Sequence, residues 1–487
     1  MSFQFDGGRL SGGHGGERPG AGDPFRILVM GDFSGRASRG VVKSLADRTP
    51  VKVDIDNLDD LPKSFGTAII AAGMQADILQ LDDFHPDELY SKHELFDALR
   101  QLRRKLMDPK TLADAANEIR SWAGHAPPEP QSSDAGTAGD AGEPPASDFE
   151  ALLSGTTSAG SQRPSKHATT VDALIKQIVG PFVTPGADPQ QAELLETLDR
   201  ATAAQMRRIL HDDAWQATEA AWRGVQMLCQ RIELDESLTL HVLDVSREEL
   251  AADAGGLGEV LVHRPTRVEG GQPWSLLVSL ETFGPSDEDA TLAATLASIA
   301  AAAGAPLVAA GHHSLLAPET PAQLAEPASH RAWPAGNWAD LAGTADAASL
   351  GLALPRFMLR LPYGTATDPI DRFDFEELDE TTDHAGYLWA PGSLLAAIVL
   401  ADGFRSVGWR LRPTGGGEID DLPVHVLPDR SGEGDMKPCA EVWLADTAYE
   451  AIMDRNLIPI VSIQRRGAVR VAALKSIAGG ALAARWG

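Results

Sequence analysis

The chain has 487 residues, of which 42 are basic and 69 acidic, so its formal net charge is −27 at pH 7. Chains longer than about 300 residues usually divide into two or more domains, and excess negative charge repels nucleic-acid phosphates and anionic lipid headgroups. The composition therefore predicts a multidomain protein that binds no nucleic acid. The two cysteines cannot build a disulfide framework and form no zinc-binding pattern, which favours a reducing compartment.

The first predicted elements lie between residues 25 and 106. Residues 25–30 form a continuous apolar run that stops at Gly31, which is typical of a strand buried on both faces. Residues 51–55 alternate like a half-exposed strand, and the two runs together imply a small sheet. Four leucines then recur at helical spacing, which predicts one face of a helix (Leu95, Leu99, Leu102 and Leu106).

Residues 123–190 separate this first region from the rest of the chain. Up to about residue 165 they are mainly Pro, Gly, Ser, Ala and Asp, and they carry too few large apolar side chains to offset the entropy cost of ordering. A disordered linker is predicted, with a short helix near residues 171–179. A flexible linker of roughly 45 residues has an r.m.s. span on the order of 35–40 Å, so the flanking regions could pair within one molecule or between neighbours.

From residue 191 onward the pattern alternates between helices and strands. Apolar residues at spacings of three and four predict two consecutive helices, with the stripes Leu195, Leu198, Met206, Ile209 and Trp215, Thr218, Trp222, Val225, Cys229. A strand is predicted at 238–245, and Ser246 with Glu249 forms a capping box that begins another helix. Further strands are predicted at 274–280, 306–310, 356–361 and 458–463, and further helices at 292–303 and 394–404. This alternation predicts an α/β fold of two domains, with mixed sheets flanked by helices and joined by the disordered linker.

No pattern in the chain predicts a catalytic, cofactor-binding or metal site. The run GDFSGR at residues 31–36 follows a strand, as a phosphate-binding loop would, but it lacks the spacing G-x-x-x-x-G-K-[ST]. His93-Glu94 lacks the second histidine of a zinc-protease helix. The adjacent His312 and His313 have no third ligand nearby in sequence, so an exposed loop or strand-end pair is the simpler interpretation. A G-x-S-x-G nucleophile elbow is absent from the sequence.

The cysteines and the longest uncharged stretch have structural explanations as well. Cys229 lies on an apolar helix face and is predicted to be a buried small hydrophobe, whereas Cys439 follows a proline in a loop-like segment and could be exposed. Residues 291–311 carry no charge and are rich in alanine. Gly304 and Pro306 interrupt this stretch. We therefore predict a helix followed by a strand there, and no membrane insertion.

Two long motifs resemble the two subunits of the type VI secretion contractile sheath. PFRILVMGDFSGRASRGVVKSLADRTPVKVDIDN at residues 24–57 resembles the opening strand and turn of the small subunit (TssB or VipA). LHDDAWQATEAAWRGVQMLCQRIELDE at residues 210–236 resembles the large subunit (TssC or VipB). The second likeness continues in order through REEL at 247–250, GLALPRFMLRLPYG at 351–364, DDLPVHV at 420–426 and IPIVSI at 458–463. The chain is therefore identified as a fusion of a small and a large sheath subunit.

The resemblance implies a domain organisation. After a disordered, glycine-rich tail at residues 1–23, the small-subunit domain is expected at 24–122, the linker at 123–190 and the large-subunit domain at 191–487. The tail has no signal-peptide pattern, so a cytoplasmic location is expected. The family's large subunit continues well past its IPIVSI-like strand, so this large-subunit domain is expected to lack the family's C-terminal region.

The resemblance also implies a structural protein and not an enzyme, with no cofactor. Sheath subunits polymerise on a baseplate around an inner tube of Hcp-like rings, and contraction drives the tube outward. A separate ClpV-type ATPase disassembles the sheath, and the helix near 171–179 is the candidate for its recognition. In the family, strands from the chain ends add to a neighbouring subunit's sheet. The alternative is a sheath-like adaptor or cap that docks on one layer and does not polymerise.

The candidate subunit-contact residues are Arg356, Arg360, Asp420 and Asp421. The two arginines alternate along the strand before LPYG, which indicates either a strand end with a turn or an edge that pairs with acids of an adjacent protomer. The acidic runs 371–380 and 420–421 lack the spacing of an EF-hand loop. They indicate a solvated acidic face, and the resemblance implies that such charge helps neighbouring subunits and the inner tube to recognise each other.

Overall fold

The computed structural model of the chain describes residues 18–20, 22–121, 166–182, 191–267, 271–317, 319–379, 384–428 and 434–486. Most of the predicted tail and most of the predicted linker lie outside these residues. Within the linker, the structure places a helix at Lys166–Val179, which includes the predicted helix.

The helices of the described residues are, in chain order, α1 (Leu61–Phe65), α2 (Pro86–Lys92), α3 (Glu94–Met107), α4 (Leu112–Arg120), α5 (Lys166–Val179), α6 (Gln191–Leu210), α7 (Asp213–Arg231), α8 (Arg247–Ala252), α9 (Ala254–Gly258), α10 (Arg264–Arg267), α11 (Asp287–Ala303), α12 (Asn337–Ala342), α13 (Ser393–Val407) and α14 (Asp446–Met453). The chain forms two compact units, one of Met1–Glu88 with Met206–Gly487 and a smaller one of Leu89–Gln205. The smaller unit contains α3, α4, α5 and most of α6, and the predicted leucine stripe of α3 is buried.

The strands are β1 (Phe25–Gly31), β2 (Val51–Val53), β3 (Ala68–Ala71), β4 (Met74–Asp77), β5 (Leu238–Asp244), β6 (Leu276–Phe283), β7 (Leu307–Gly311), β8 (Leu350–Leu354), β9 (Phe357–Met358), β10 (Trp389–Ala390), β11 (Gly417–Ile419), β12 (Val426–Pro428), β13 (Gly434–Met436), β14 (Ile458–Ser462) and β15 (Val469–Val471). They form one nine-stranded sheet in the order β11-β15-β14-β8-β7-β6-β1-β5-β2 and three two-stranded sheets, β3-β4, β9-β10 and β12-β13. In the large sheet the strands from β14 to β5 are parallel, whereas β2, β15 and β11 pair antiparallel with their neighbours. The predicted mixed α/β fold is confirmed.

Strand β1 lies inside the large sheet, between β5 and β6. It pairs with β5 along its whole length, from Phe25 opposite Leu238 to Gly31 opposite Asp244. The expectation that residues 25–30 and 51–55 form a small sheet is wrong, because β1 and β2 both pair with β5 in the nine-stranded sheet. The apolar run showed correctly that β1 is buried on both faces, but such a run does not tell which strands lie beside it.

Two long helices, α11 and α13, pack against strands of the large sheet. Leu28, Leu277 and Leu352 share one apolar cluster with Ala293 and other small residues of α11. Alanine side chains allow a helix to pack closely against a sheet, because they leave little volume between the two backbones. On α13 nine residues are buried, and Gly224 of α7 leaves room for the side chain of Leu394.

Most of the local signals in the sequence are confirmed. Ser246 and Glu249 form the predicted reciprocal capping box at the start of α8. The uncharged stretch forms α11, which ends at the left-handed Gly304, followed by β7. The predicted strand at 356–361 is reduced to the two residues of β9.

The two cysteines are both buried. The prediction for Cys229 is confirmed, and burial raises the pKa of its thiol to about 12, with a further contribution from Asp54. The interpretation of Cys439 as exposed is wrong, because its residue is only 1% exposed and its Sγ lies 3.5 Å from the carbonyl oxygen of Pro423. Among the helices described here, none is long and apolar enough to cross a membrane.

Aromatic residues surround the start of β1, where the strand enters the sheet. The ring of Phe25 packs against Phe404, Trp409 and Trp486 at centroid distances of 4.8 to 5.6 Å. Removing a buried aromatic ring leaves a cavity, so we expect Phe25→Ala to lower the free energy of unfolding by about 3–5 kcal/mol. Urea denaturation followed by tryptophan fluorescence measures the change. The control is Ile55→Ala at an exposed site, and equal losses for the two variants would contradict the assignment of β1 as a core strand.

Candidate functional site

The turn after β1 is held by a carboxylate from the end of β5. Asp244 accepts hydrogen bonds from the backbone amides of Phe33 and Ser34, both at 3.0 Å, and from Nε of Arg36 at 2.9 Å. Asp244 is buried, and a buried carboxylate needs several donors to offset the loss of hydration. The sequence GDFSGR therefore forms a docking turn for β5, which agrees with the absence of phosphate-loop spacing.

The same turn is fixed from its other side by a tryptophan. The carbonyl oxygen of Phe33 accepts hydrogen bonds from Nε1 of Trp222 and from Oγ1 of Thr67, both at 2.8 Å. The rings of Phe33 and Trp222 are in edge contact at 5.1 Å. Gly35 has φ of +70°, and a Cβ atom there would overlap the carbonyl oxygen of Ala68. Glycine is required at this position by both backbone conformation and space.

Two further carboxylates, those of Glu249 and Asp253, hold the loop at residues 43–48. Glu249 of α8 accepts the amide of Lys43 at 2.8 Å and Nη1 of Arg48 at 2.6 Å. Burial raises the pKa of Glu249, but the hydrogen bonds from Arg48 and from the amides of Ser246 and Lys43 outweigh it, so the pKa lies below its ordinary value. Glu249 thus caps its own helix and also binds a loop some 200 residues earlier in the chain.

Asp253 completes this contact. Its Oδ2 accepts the amide of Leu45 at 2.8 Å and the hydroxyl of Ser44 at 2.9 Å, and Leu45 is fully buried. We call residues 31–48 together with residues 244–253 the junction. In the junction, three carboxylates of the later sequence bind amides and guanidinium groups of the earlier one, which is the chemistry of a structural joint.

A buried ionic centre lies elsewhere in the larger unit. Arg360 is 8% exposed and donates to Glu219 at 2.8 Å through Nε and to Glu377 at 2.7 Å through Nη1. Arg223 also donates to Glu219, at 2.7 Å. Burial lowers the pKa of Arg360, but the two carboxylates raise it well above its ordinary value. Burial likewise raises the pKa of Tyr363, whose ring lies 4.2 Å from the Arg360 guanidinium, to about 12. The centre is charged and internally paired.

Comparison with known proteins identifies the family. Residues 192–478, more than half of the chain, match the family described as EvpB/VC_A0108, tail sheath N-terminal domain. The chain belongs to this tail sheath family. Residues 14–124 match the family described as type VI secretion system, VipA, VC_A0107 or Hcp2. The predicted fusion of a small-subunit-like and a large-subunit-like sheath sequence is confirmed.

A curated relative supports the same family. The sheath protein is 30% identical over 285 residues to the type VI secretion system sheath protein TssC1 of Pseudomonas aeruginosa. The match covers 55% of this chain and 57% of the relative, so the chain spans little more than half the length of that protein. Type VI sheath proteins are structural proteins, which agrees with the prediction that the chain is not an enzyme.

The predicted contact residues of the sheath protein fall into two groups. Arg360 belongs to the buried centre, and Arg356 donates through Nε to Glu441 at 3.0 Å, where His384 also lies 3.2 Å from the carboxylate. Burial raises the pKa of Glu441, but His384 and Arg356 outweigh it and lower the pKa to about 2. The structure does not bring the two arginines to a common partner.

The other two candidates are exposed. Asp420 forms an ion pair with Arg466, and its side chain is 55% exposed. Asp421 has φ of +55°, and its carbonyl oxygen accepts from Arg231 at 2.7 Å. The role of all four residues in subunit contacts stays a prediction.

The histidines singled out in the sequence have local partners. His93 accepts the amide of Leu95 as the N-cap of α3. The rings of His312 and His313 lie 4.1 Å apart, and both residues are half-buried, not exposed as the simpler interpretation had them. Within the described ranges no group of three or more His, Cys, Asp or Glu side chains has a geometry that could hold a metal ion.

Sequence reasoning missed the carboxylates that organise both sites. Asp244, Glu219 and Glu377 are all buried and paired with arginine. A signal was present for Glu219, since it lies beside Thr218 and three residues before Trp222 on a helix face that is otherwise apolar. A charged residue on a buried face predicts a buried partner, but the sequence does not show which arginine it is.

We expect Asp244→Asn to loosen the junction. The amide side chain keeps the size of the carboxylate but presents an NH₂ group to donors, so one or more of the amides of the turn and Arg36 lose their acceptor. The expected loss is about 2–4 kcal/mol in the free energy of unfolding, measured by urea denaturation. Asp56→Asn, at an exposed site, is the control, and an unchanged stability of Asp244→Asn would refute the junction.

The buried centre predicts a pH-dependent defect in Arg360→Met. Burial raises the pKa of Glu219, but the positive charges of Arg360 and Arg223 outweigh burial, so the pKa lies below its ordinary value. The ionised centre therefore contributes stability above the unfolded pKa of glutamate, and this contribution is lost as the pH falls. Without Arg360, the buried carboxylates of Glu219 and Glu377 lose a positively charged partner. We expect a loss of about 3–5 kcal/mol at pH 7 that shrinks toward pH ~4, where glutamate can take up a proton.

The measurement is urea denaturation of the unaltered chain and of Arg360→Met from pH 7 to pH 4. Arg104→Met, whose side chain is 70% exposed, is the matched control and is expected to change stability by less than about 0.5 kcal/mol. A loss at Arg360→Met that is constant across this pH range would show that packing and not charge explains the effect.

Proposed function

We propose that this sheath protein is a structural component of a type VI secretion contractile sheath. It polymerises in the cytoplasm around an Hcp-like inner tube and drives ejection of the tube by contraction. Its proposed partners are other sheath subunits, the inner tube, baseplate components and a ClpV-type disassembly ATPase. The energy for ejection is conformational energy stored at assembly, so the chain itself needs no catalytic residue or cofactor.

The observation that supports this proposal most directly is the position of β1. A strand of the small-subunit-like sequence pairs along its full length with a strand of the large-subunit-like sequence in the same chain. One polypeptide thus supplies both sequences in a fixed one-to-one ratio. The junction adds buried hydrogen bonds and ion pairs between them, so the pair can move as one body when force acts on it.

The edges of the large sheet are the places where a neighbour's strand could add. The sheet ends at β2 on one side and at β11 on the other, and each of these strands has three residues. Asp420 and Asp421 follow β11 directly and are exposed, which supports their proposed part in subunit contacts. Arg356 and Arg360 already bind carboxylates of their own chain, which favours an internal role for them.

The test is negative-stain electron microscopy of the purified full chain, alone and mixed with an Hcp-like tube protein. Hollow tubes with cogwheel cross-sections in either sample are expected. Discrete particles in both samples, from protein shown by circular dichroism to be folded, would overturn the proposal and favour a sheath-like adaptor or cap that does not polymerise.

A further inference from the structure

The buried ionic centre holds both ends of a mostly exposed segment, residues 364–376. The amide of Glu377 donates to the carbonyl oxygen of Tyr363 at 2.8 Å, and the amide of Tyr363 donates to Oε2 of Glu377 at 2.7 Å. We call these two hydrogen bonds the neck. The carboxylate of Glu377 also accepts Nη1 of Arg360 at 2.7 Å and Nη2 at 3.0 Å. A shift of this carboxylate therefore acts on the neck and on the ionic centre together.

His211 lies beside the same carboxylate. Its Nε2 is 3.8 Å from Oε1 of Glu377, which is too far for a hydrogen bond. That nitrogen is shielded from solvent and has no hydrogen-bond partner among the residues that the structure describes. The backbone amide of His211 donates to the carbonyl oxygen of Arg207 at 2.8 Å, so the residue is fixed at the end of α6. The imidazole is thus the one group of this neighbourhood described here that can gain a proton near neutral pH.

The charges around His211 are balanced while its ring is neutral. The ionic centre holds two positive and two negative groups (Arg223, Arg360, Glu219 and Glu377). The other charged side chains that act on His211 are Arg207 and Asp379, which form an ion pair with each other at 3.1 Å. A proton on His211 therefore adds a positive charge that has no counter-charge of its own.

The environment of His211 also sets the direction of its response to acid. Burial lowers the pKa of the imidazole, and Arg360 and Arg207 lower it further, whereas Glu377 and Asp379 oppose them. The ring is therefore mostly neutral at pH 7. In a conformation in which the ring reaches water, its pKa returns toward about 6.5. Acid favours that conformation, because it binds the proton more tightly, and the effect begins as the pH falls below about 6.5.

We propose that His211 is a pH-sensitive switch that controls the neck of residues 364–376. The protonated imidazole competes with Arg360 for Oε1 of Glu377. Because His211 is fixed at the end of α6, closing the gap of 3.8 Å draws the carboxylate away from Arg360 and from the amide of Tyr363. The neck then opens and the segment becomes mobile, while the nine-stranded sheet stays folded. The inference does not depend on polymerisation, since every group involved belongs to a single chain.

The test places a reporter in the segment. Ala366 is exposed and both native cysteines are buried, so Ala366→Cys can be labelled selectively with a nitroxide. The EPR line shape reports the mobility of the segment from pH 8 to pH 5, and far-UV circular dichroism checks that the chain stays folded. We expect the mobile component to increase below pH ~6.5. The ratio of mobile to immobile label should rise by no more than about tenfold per pH unit, because one proton is taken up.

Two histidine variants of the labelled chain decide the cause. His211→Gln cannot take up the proton, so we expect it to abolish the pH dependence. The matched control is His330→Gln, which removes another half-buried histidine whose Nε2 lies 3.0 Å from the carbonyl oxygen of Leu324, and it should respond as the labelled parent does. A pH-dependent increase that persists in His211→Gln would overturn the proposal. A line shape of the labelled parent that does not change with pH would also overturn it.

A second measurement covers the case in which His211→Gln leaves the segment mobile at every pH. In the labelled parent carrying ¹³C-histidine, the NMR signal that is missing from His211→Gln gives the titration midpoint of His211. We expect this midpoint to lie below pH ~6.5 and to coincide with the midpoint of the mobility change. Titration of His211 at a pH where the mobility of the segment does not change would refute the switch.

Discussion

The fold of the larger unit depends on one strand filling the gap between two others. Without β1, the strands β5 and β6 would each present a row of unpaired amides and carbonyls in the middle of the sheet. The side chains of Ile27, Leu28 and Val29 are fully buried. Backbone pairing and apolar burial therefore act at the same residues, so the two family-like sequences share one core and do not fold as two separate sheets.

The junction and the buried ionic centre both pair carboxylates with arginines, but they act on different parts of the fold. In the junction, Asp244 and Glu249 satisfy backbone amides of turns that have few partners of their own. This fixes the exit of β1 from the sheet. In the centre, Arg360 and two glutamates are nearly without solvent contact, and the desolvation of three charges offsets much of their mutual attraction. Such a centre specifies one arrangement, because any other pairing would leave a charge buried alone.

That specificity links the interior to the surface. Glu377 is at once a partner of Arg360 and the acceptor for the amide of Tyr363, so the ends of the exposed segment between Tyr363 and Glu377 are held by a contact in the core. The strong negative charge of the chain raises the rate of encounter with a basic partner and disfavours an acidic one.

The sequence by itself determined the periodic and local features: the burial of β1, the stripe of α3, the capping box at Ser246, the helix and strand of the uncharged stretch, and the two sheath-like motifs. All but the last of these depend on residues within a few positions of one another, where spacing predicts geometry. The sheath-like motifs were identified by their resemblance to a known family. Only the tertiary structure decided that β1 joins β5 and β6, that Asp244 binds a turn more than 200 residues earlier, and that Cys439 is buried. Arg360 shows the reason. Its charge suggested a surface contact, but which carboxylates meet a guanidinium depends on how distant segments pack, and no local spacing encodes that.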